Sequence, residues 1–299
     1  VSQTLVVNQG GLIAQTITFN TLPIKTYGDA PFGLTATGGG SGNPVTYSSS
    51  NTSVATVSGN TVTILAPGST DITASQAGTP FYSAANSVTQ TLYVGLKNLT
   101  LPNATANNKT YDGTTAATLS NLGLSGVVNG DLVGVAGGGN FAAPDVNSGI
   151  AVTSSLYLTG QDSYKYNLLQ PGGLSADITP ASQTITFGTL PTKTYGNAPF
   201  SVSATGGASG NPVTFSSNNP LVATVSGNII TITGAGTATI TASQAASQNY
   251  AAATNADQLL IVNMANQTIT FPAITNKVVG QAPFVLGATS TSGLPIQYS

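Results

Sequence analysis

Lysine, aspartate and tyrosine are the residues of this sequence that could do chemistry. Its 6 basic residues are all Lys, its 8 acidic residues are all Asp, and Arg, Glu, His, Cys and Trp are absent. General acid–base work would therefore fall to an Asp, a Lys or a Tyr, and no pair of Asp recurs at a catalytic spacing. Lys25, Lys109 and Lys193 are each followed by Thr-Tyr and lie 84 residues apart. A lysine repeated in this way could close an intramolecular amide crosslink to Asn, which needs a buried acid beside the pair. Asp29 of the first copy becomes Asn197 in the third, so no acid recurs with the lysine. The tyrosines that follow (Tyr27, Tyr111 and Tyr195) could be platforms for sugar. Their fixed placement fits an internal anchor better, and Tyr27 and Tyr195 are expected to be buried with their hydroxyls on backbone groups. Asp112, Asp131, Asp145 and Asp162 are the carboxylates that could serve calcium, which takes six to eight oxygens. They are spread over fifty residues without a D-x-D-x-D loop. The sites expected from the residues are thus catalytic none, cofactor none and metal none, with calcium as the secondary alternative. Gly38-Gly-Gly-Ser-Gly42, Gly137-Gly-Gly139 and Gly206-Gly-Ala-Ser-Gly210 lack the Gly-Lys-Ser/Thr and helix of a phosphate loop, and read as strand connections.

The elements that must position these residues follow from the period. A fixed spacing this long means one structural unit copied along the chain. Residues 183–262 align with 15–94 without a gap and match at roughly 50 of 80 positions. The stretch between them keeps the length and the Lys-Thr-Tyr but little else. Five segments result: 1–14, the last strand of a preceding module plus a linker; complete modules at 15–97, 98–182 and 183–265; and 266–299, the first strands of another. Val1-Ser-Gln-Thr-Leu-Val-Val7 copies Val88-Thr-Gln-Thr-Leu-Tyr-Val94, and Gly293-Leu-Pro-Ile-Gln-Tyr-Ser299 matches Gly42-Asn-Pro-Val-Thr-Tyr-Ser48.

Charged residues make up 5% of the chain, and Thr, Ser, Asn, Gly, Val and Ala fill the space, a composition suited to pleated, half-buried strands rather than long helices. Ile17 and Phe19 alternate with Thr16 and Thr18. Val54–Val57 and Thr61–Leu65 form a hairpin across Ser58-Gly59-Asn60. Ile72 with Ala74, and Leu92 with Val94, face inward on later strands. About seven short strands per module predict an all-β chain of tandem Ig-like antiparallel sandwiches in an elongated rod. In the middle module strands are expected at Thr115–Leu119, Leu132–Val135, Ile150–Leu158 and Tyr164–Leu168.

Gln15-Thr-Ile-Thr-Phe19, Lys25-Thr-Tyr-Gly28 and Ala30-Pro-Phe32, repeated at Gln183–Phe187, Lys193–Gly196 and Ala198–Phe200, resemble the opening of the MBG repeat (YGX-type) of bacterial surface proteins. Val54-Ala-Thr-Val-Ser-Gly59 leading to Asp71-Ile-Thr-Ala-Ser75 is similar to group 2 bacterial Ig-like domains. The middle copy, from Tyr111-Asp-Gly113 through Gly130-Asp131, resembles the YDG module of large adhesins. The resemblance implies a non-catalytic stalk or spacer of a giant secreted or cell-surface adhesin. Its partners would be neighbouring modules of the same chain, with a host, surface or glycan ligand bound elsewhere in the longer protein. A direct glycan- or surface-binding module, or a segment of a surface filament such as a gliding adhesin, are the alternatives. A net charge of −2 gives no basic patch for nucleic acid, and no apolar run reaches the length of a membrane span.

Overall fold

The computed structural model describes residues 10–299, so the expected strand at Val1–Val7 lies outside the described residues. The described chain is all-β, with one 3-10 turn at Ser163–Lys165 and no α-helix. No helix among the described residues is long and apolar enough to cross a membrane. Two compact units are present: one holds the described residues up to Lys109 together with Gly113–Ile178, the other Thr110–Asp112 with Thr179–Ser299.

In the first unit, a four-stranded sheet runs in the order Lys25–Thr26, Val88–Gly95, Gly68–Gln76, Val45–Ser49. A three-stranded sheet of Phe32–Gly33, Thr61–Ile64 and Ala55–Ser58 completes the sandwich. Alternation sets its inner face: Thr70, Ile72, Ala74 and Gln76 of one strand, and Leu92 and Val94 of the next, are buried. Each large aliphatic side chain so buried contributes roughly 1.5–3 kcal/mol. The hairpin turns at Gly59, whose φ of +59° lies in the left-handed region glycine enters freely. Besides the expected antiparallel ladders, Lys25–Thr26 pairs in parallel with Val94 and Gly95.

The remainder of this unit holds most of a five-stranded sheet, in which Leu174–Thr179, Asn147–Thr159, Gly134–Phe141 and Ala116–Ala117 follow one another. Two expected strands move: the one read at Leu132–Val135 begins at Gly134, and Tyr164 lies in the 3-10 turn ahead of Tyr166–Leu168. Gly137–Gly139 is part of a strand and not a connection, which corrects the sequence reading. The reason is steric. A Cβ on Gly137 (φ +109°) would stand 2.4 Å from the Ser155 carbonyl, and one on Gly139 would stand 2.9 Å from that of Thr153. Lys97–Leu99 pairs in parallel with Tyr166–Leu168. One buried cluster includes Phe19, Tyr27, Ile72 and Leu92 as well as Leu99 and Tyr166, so the apolar interior of the first sandwich extends into the next module at these two residues.

The second unit repeats the first sandwich. Its four-stranded sheet has the order Lys193–Thr194, Ala256–Asn263, Gly236–Gln244, Val213–Ser217, again with a parallel edge pair. Beyond Val262 no residue is buried, and Ile269–Thr270 pairs with Thr289–Ser290.

The two long glycine runs do lie in connections, for a packing reason. A Cβ on Gly38 would stand 2.5 Å from the Gln76 carboxamide, and one on Gly39 would stand 2.4 Å from Gln15 Cβ. Both glutamines are buried and spend their amides on loop backbone: Gln76 accepts from Gly39 N (2.7 Å) and donates to Asn43 O (2.7 Å). Gln15 donates to Ser83 O (2.9 Å). Gln183 and Gln244 repeat the arrangement against Gly206 and Gly207.

Candidate functional site

The parallel strand Lys25–Thr26 delivers Tyr27, whose N–H donates to Gly95 O (2.9 Å). A turn then fixes the ring's exit: Asp29 Oδ2 accepts from Thr26 N (3.0 Å), and Gly28 takes a φ of +83°. Val128 packs directly on this turn, since a Cβ at Gly28 would lie 2.7 Å from a Val128 methyl. Glycine is required there both by the backbone and by the neighbour.

Four further polar side chains close around Tyr27. Its hydroxyl donates to Asp131 Oδ2 (2.7 Å). Tyr166 donates to the same oxygen (2.5 Å), and its own hydroxyl accepts from Val128 N (2.9 Å). The Lys165 ammonium donates to Asp131 Oδ1 (3.0 Å) and to the Tyr27 hydroxyl (3.3 Å), and pairs with Asp162 (2.8 Å). Asp162 is itself held by the N–H of Leu132 (2.9 Å). The Lys165, Asp131 and Asp162 side chains are 13%, 10% and 14% exposed, so water screens these charges little.

The electrostatics follow. The hydrogen bond with Asp162, joined by those with Asp131 and Tyr27, outweighs desolvation and raises the Lys165 pKa far above its ordinary value. Burial alone would raise the Asp131 carboxyl; hydrogen bonds from Tyr166, Tyr27 and Lys165 more than offset it and hold the group below the usual range. The Lys165 hydrogen bond likewise lowers Asp162. Burial first, then the Asp131 hydrogen bond, pushes the Tyr166 phenol up to about 12 and raises that of Tyr27. An ammonium kept charged between two carboxylates is a brace and a poor nucleophile. The cluster pins the strand end at Tyr27 to the loops at Asp131 and Lys165.

The sequence expectations divide here. Tyr27 is buried as expected (6% exposed), but its hydroxyl meets side chains and not backbone, because Asp131 and Lys165 are brought to it by the fold. Tyr195 departs further: its N–H finds Asn263 O (2.9 Å) and Gly196 keeps a φ of +91°, yet its ring is 51% exposed. Nothing stands within 4 Å of a Cβ built at Gly196. Tyr111 meets Tyr250 edge to face at 5.6 Å. The repeated lysines lie over phenylalanine rings: Lys25 on Phe32 at 4.6 Å, Lys109 on Phe141 at 5.5 Å, Lys193 on Phe200 at 4.4 Å and Lys277 on Phe284 at 4.9 Å. Of the four aspartates weighed for calcium, Asp131 and Asp162 come together, and they share Lys165. Among the described residues no three His, Cys, Asp or Glu side chains group as a metal would require. Sequence reasoning missed Val128, Lys165 and Tyr166. The aromatic-flanked lysine of Tyr164-Lys165-Tyr166 was the available signal.

The architecture is that of a modular all-β chain, in which a buried polar cluster joins the first sandwich to the module that follows. The YDG domain family matches residues 95–173, and the intimin immunoglobulin-like domain matches residues 197–246. The two matches place a YDG-type module and an Ig-like module of the intimin type next to one another in the chain. Among solved structures it is similar to Drosophila N-cadherin EC1-4, at 12% identity and a TM-score of 0.32, over 87% of this chain and 75% of that one. It is also similar to mouse protocadherin-24 EC1-3, at 13% and 0.26, over 89% and 100%. A third is surface layer protein SbsC, domains 1-6, at 15% and 0.25, over 85% and 41%. Comparison with curated proteins yields no match.

Proposed function

We propose that this chain is a non-catalytic spacer of a large bacterial adhesin, outside the cell or on its surface, and that it holds a binding domain at a distance. The observation that carries the reading is the Tyr27–Asp131–Lys165–Tyr166 joint, seated on an apolar cluster that runs from the first sandwich to Leu99 and Tyr166. A spacer must resist bending where modules meet, and a buried, fully hydrogen-bonded ion cluster gives one geometry in place of many. The intimin-type and YDG modules support a surface setting.

Amide relaxation and residual dipolar couplings on the full chain test this reading. Residues 15–95 and 98–178 are expected to share one alignment tensor in the wild type and to separate in the Tyr27→Ala/Asp131→Ala variant. Independent tumbling in the wild type would overturn the spacer reading.

A further inference from the structure

We propose that Asn129-Gly130 is a self-modifying site, which closes to a succinimide and opens to isoaspartate, and that this conversion releases the Tyr27 joint as the protein ages. It is the one Asn-Gly pair of the sequence. Both residues are exposed, and nothing stands within 4 Å of a Cβ built at Gly130, so the nitrogen that must attack is unshielded. Among the described residues, no hydrogen bond engages the Gly130 N–H or the Asn129 carboxamide. Asn147-Ser148 shows the contrast. There Asn147 Oδ1 accepts from Ser148 N (2.9 Å), and the pair lies within the strand Asn147–Thr159.

The chemistry needs only water. Gly130 N attacks the side-chain carbonyl carbon of Asn129 and forms a C–N bond. The bond to the side-chain amide nitrogen breaks, and that nitrogen leaves as ammonia with the proton from Gly130. Water then adds across either C–N bond of the ring and gives aspartate or isoaspartate, with no oxidant or reductant. Glycine obstructs ring closure least, because it carries no side chain. The consequence follows from the place. Val128–Asp131 is one turn, closed by Asp131 N donating to Val128 O (3.1 Å), with Gly130 at a φ of +96°. Both ends of the turn belong to the joint. Val128 N donates to the Tyr166 hydroxyl, and a Val128 methyl packs on Gly28. Asp131 accepts from Tyr27, Tyr166 and Lys165. Isoaspartate carries the main chain through the side-chain carbons and adds a backbone atom between these anchors, so both cannot stay seated.

The test is incubation of the full chain in mildly alkaline buffer, followed by peptide mapping in which electron-transfer fragments distinguish isoaspartate from aspartate. Asn129 is expected to convert ahead of every other asparagine, with isoaspartate as the main product. The urea midpoint of the first unit should fall in step with the converted fraction, while that of the second unit holds. Asn129→Gln, whose longer side chain disfavours the ring, should age without either change. Freshly prepared Asn129→Asp carries the new charge without the added backbone atom and should keep the wild-type midpoint. Each of four results would overturn the proposal: no preferential conversion of Asn129, an unmoved first-unit midpoint in converted protein, the same loss in aged Asn129→Gln, or an equal loss in fresh Asn129→Asp. The proposal rests on the joint of the spacer reading, and the two failures are distinguishable. Independent tumbling of the fresh modules removes the joint itself, whereas a rigid fresh chain whose midpoint ignores conversion removes this proposal alone.

Discussion

Tyr27 and Tyr166 meet edge to face, their ring centroids 5.5 Å apart at 85°, and both hydroxyls converge on one oxygen of Asp131. The pair is separated by well over a hundred residues, so this contact closes a long loop of chain. An edge-to-face pair adds about 0.5–1.5 kcal/mol beyond its buried area, and the carboxylate adds direction. The apolar interior brings the two loops together, and Asp131 selects the orientation.

Asp131→Ala is expected to destabilise the first unit by about 3 kcal/mol, because Lys165 loses a partner and the Tyr27 and Tyr166 hydroxyls lose their acceptor in a largely buried site. Asp131→Asn should cost less, since it keeps the shape and an acceptor. Tyr27→Phe should cost about 1 kcal/mol, and Tyr27→Ala about 3 kcal/mol or more. Urea unfolding followed separately for the two units checks this. The midpoint of the second unit should not move.

Gly28 and Gly196 have the same left-handed backbone but different surroundings, which makes them a matched pair. Gly196→Ala is expected to cost about 1 kcal/mol, the conformational strain alone. Gly28→Ala should cost at least about 1 kcal/mol more, because the new methyl would stand 2.7 Å from Val128. Equal costs at the two positions would show that Val128 is not seated on Gly28.

Much of the sandwich was legible from spacing. Alternation placed Ile72 with Ala74, and Leu92 with Val94, on the inner face, and all four are buried. The parallel edge was not, because Lys25 pairs with Val94, far along the chain, and a strand of two residues carries no pattern of its own. The joint was half legible. The 84-residue period marked Tyr27, but it marked Tyr195 equally, and a repeat cannot tell which tyrosine its surroundings cover. Asp131 and Lys165 lie 104 and 138 residues from Tyr27, beyond the reach of any local motif. Glycine runs misled for a related reason: Gly137 and Gly38 look alike in sequence, yet one yields to a neighbouring strand and the other to a buried glutamine.

The joint also makes the first unit sensitive to pH at both extremes. The Asp131 carboxyl is held below its ordinary value of 3.8 in the folded chain. Its stabilisation is therefore complete above that value and is lost as pH falls through the folded pKa. The Tyr166 phenol is raised from 10.0 to about 12, so its contribution is complete below 10.0 and is lost as pH climbs towards 12. Thermal melts against pH should show both losses in the first unit. In Asp131→Asn the acid limb should flatten, and the phenol should ionise at lower pH in an ultraviolet titration.

The last prediction concerns why a dissimilar module stands between two near-copies. Strand Gly68–Gln76 pairs with Val88–Gly95 in the register Gly68↔Val94 to Ala74↔Val88, and Gly236–Gln244 repeats it as Gly236↔Val262 to Ala242↔Ala256. A strand from either copy would therefore present a matching inner face to the other: Ile72 and Ala74 against Ile240 and Ala242, all fully buried. Non-local β pairing is slow, and exchange of equivalent strands is the characteristic failure of similar adjacent domains. With only 5% charged residues, the chain has few gatekeepers to oppose it. The intervening YDG module separates the copies, and its strands carry the wrong side chains for exchange. A chain joining residues 15–97 directly to 183–265 is therefore expected to refold in lower yield than 15–265 and to give strand-exchanged oligomers. Size-exclusion chromatography with light scattering after refolding from urea reads both outcomes. Clean monomeric refolding of the shortened chain, at the same yield and concentration, would show that the alternation has no part in protecting folding.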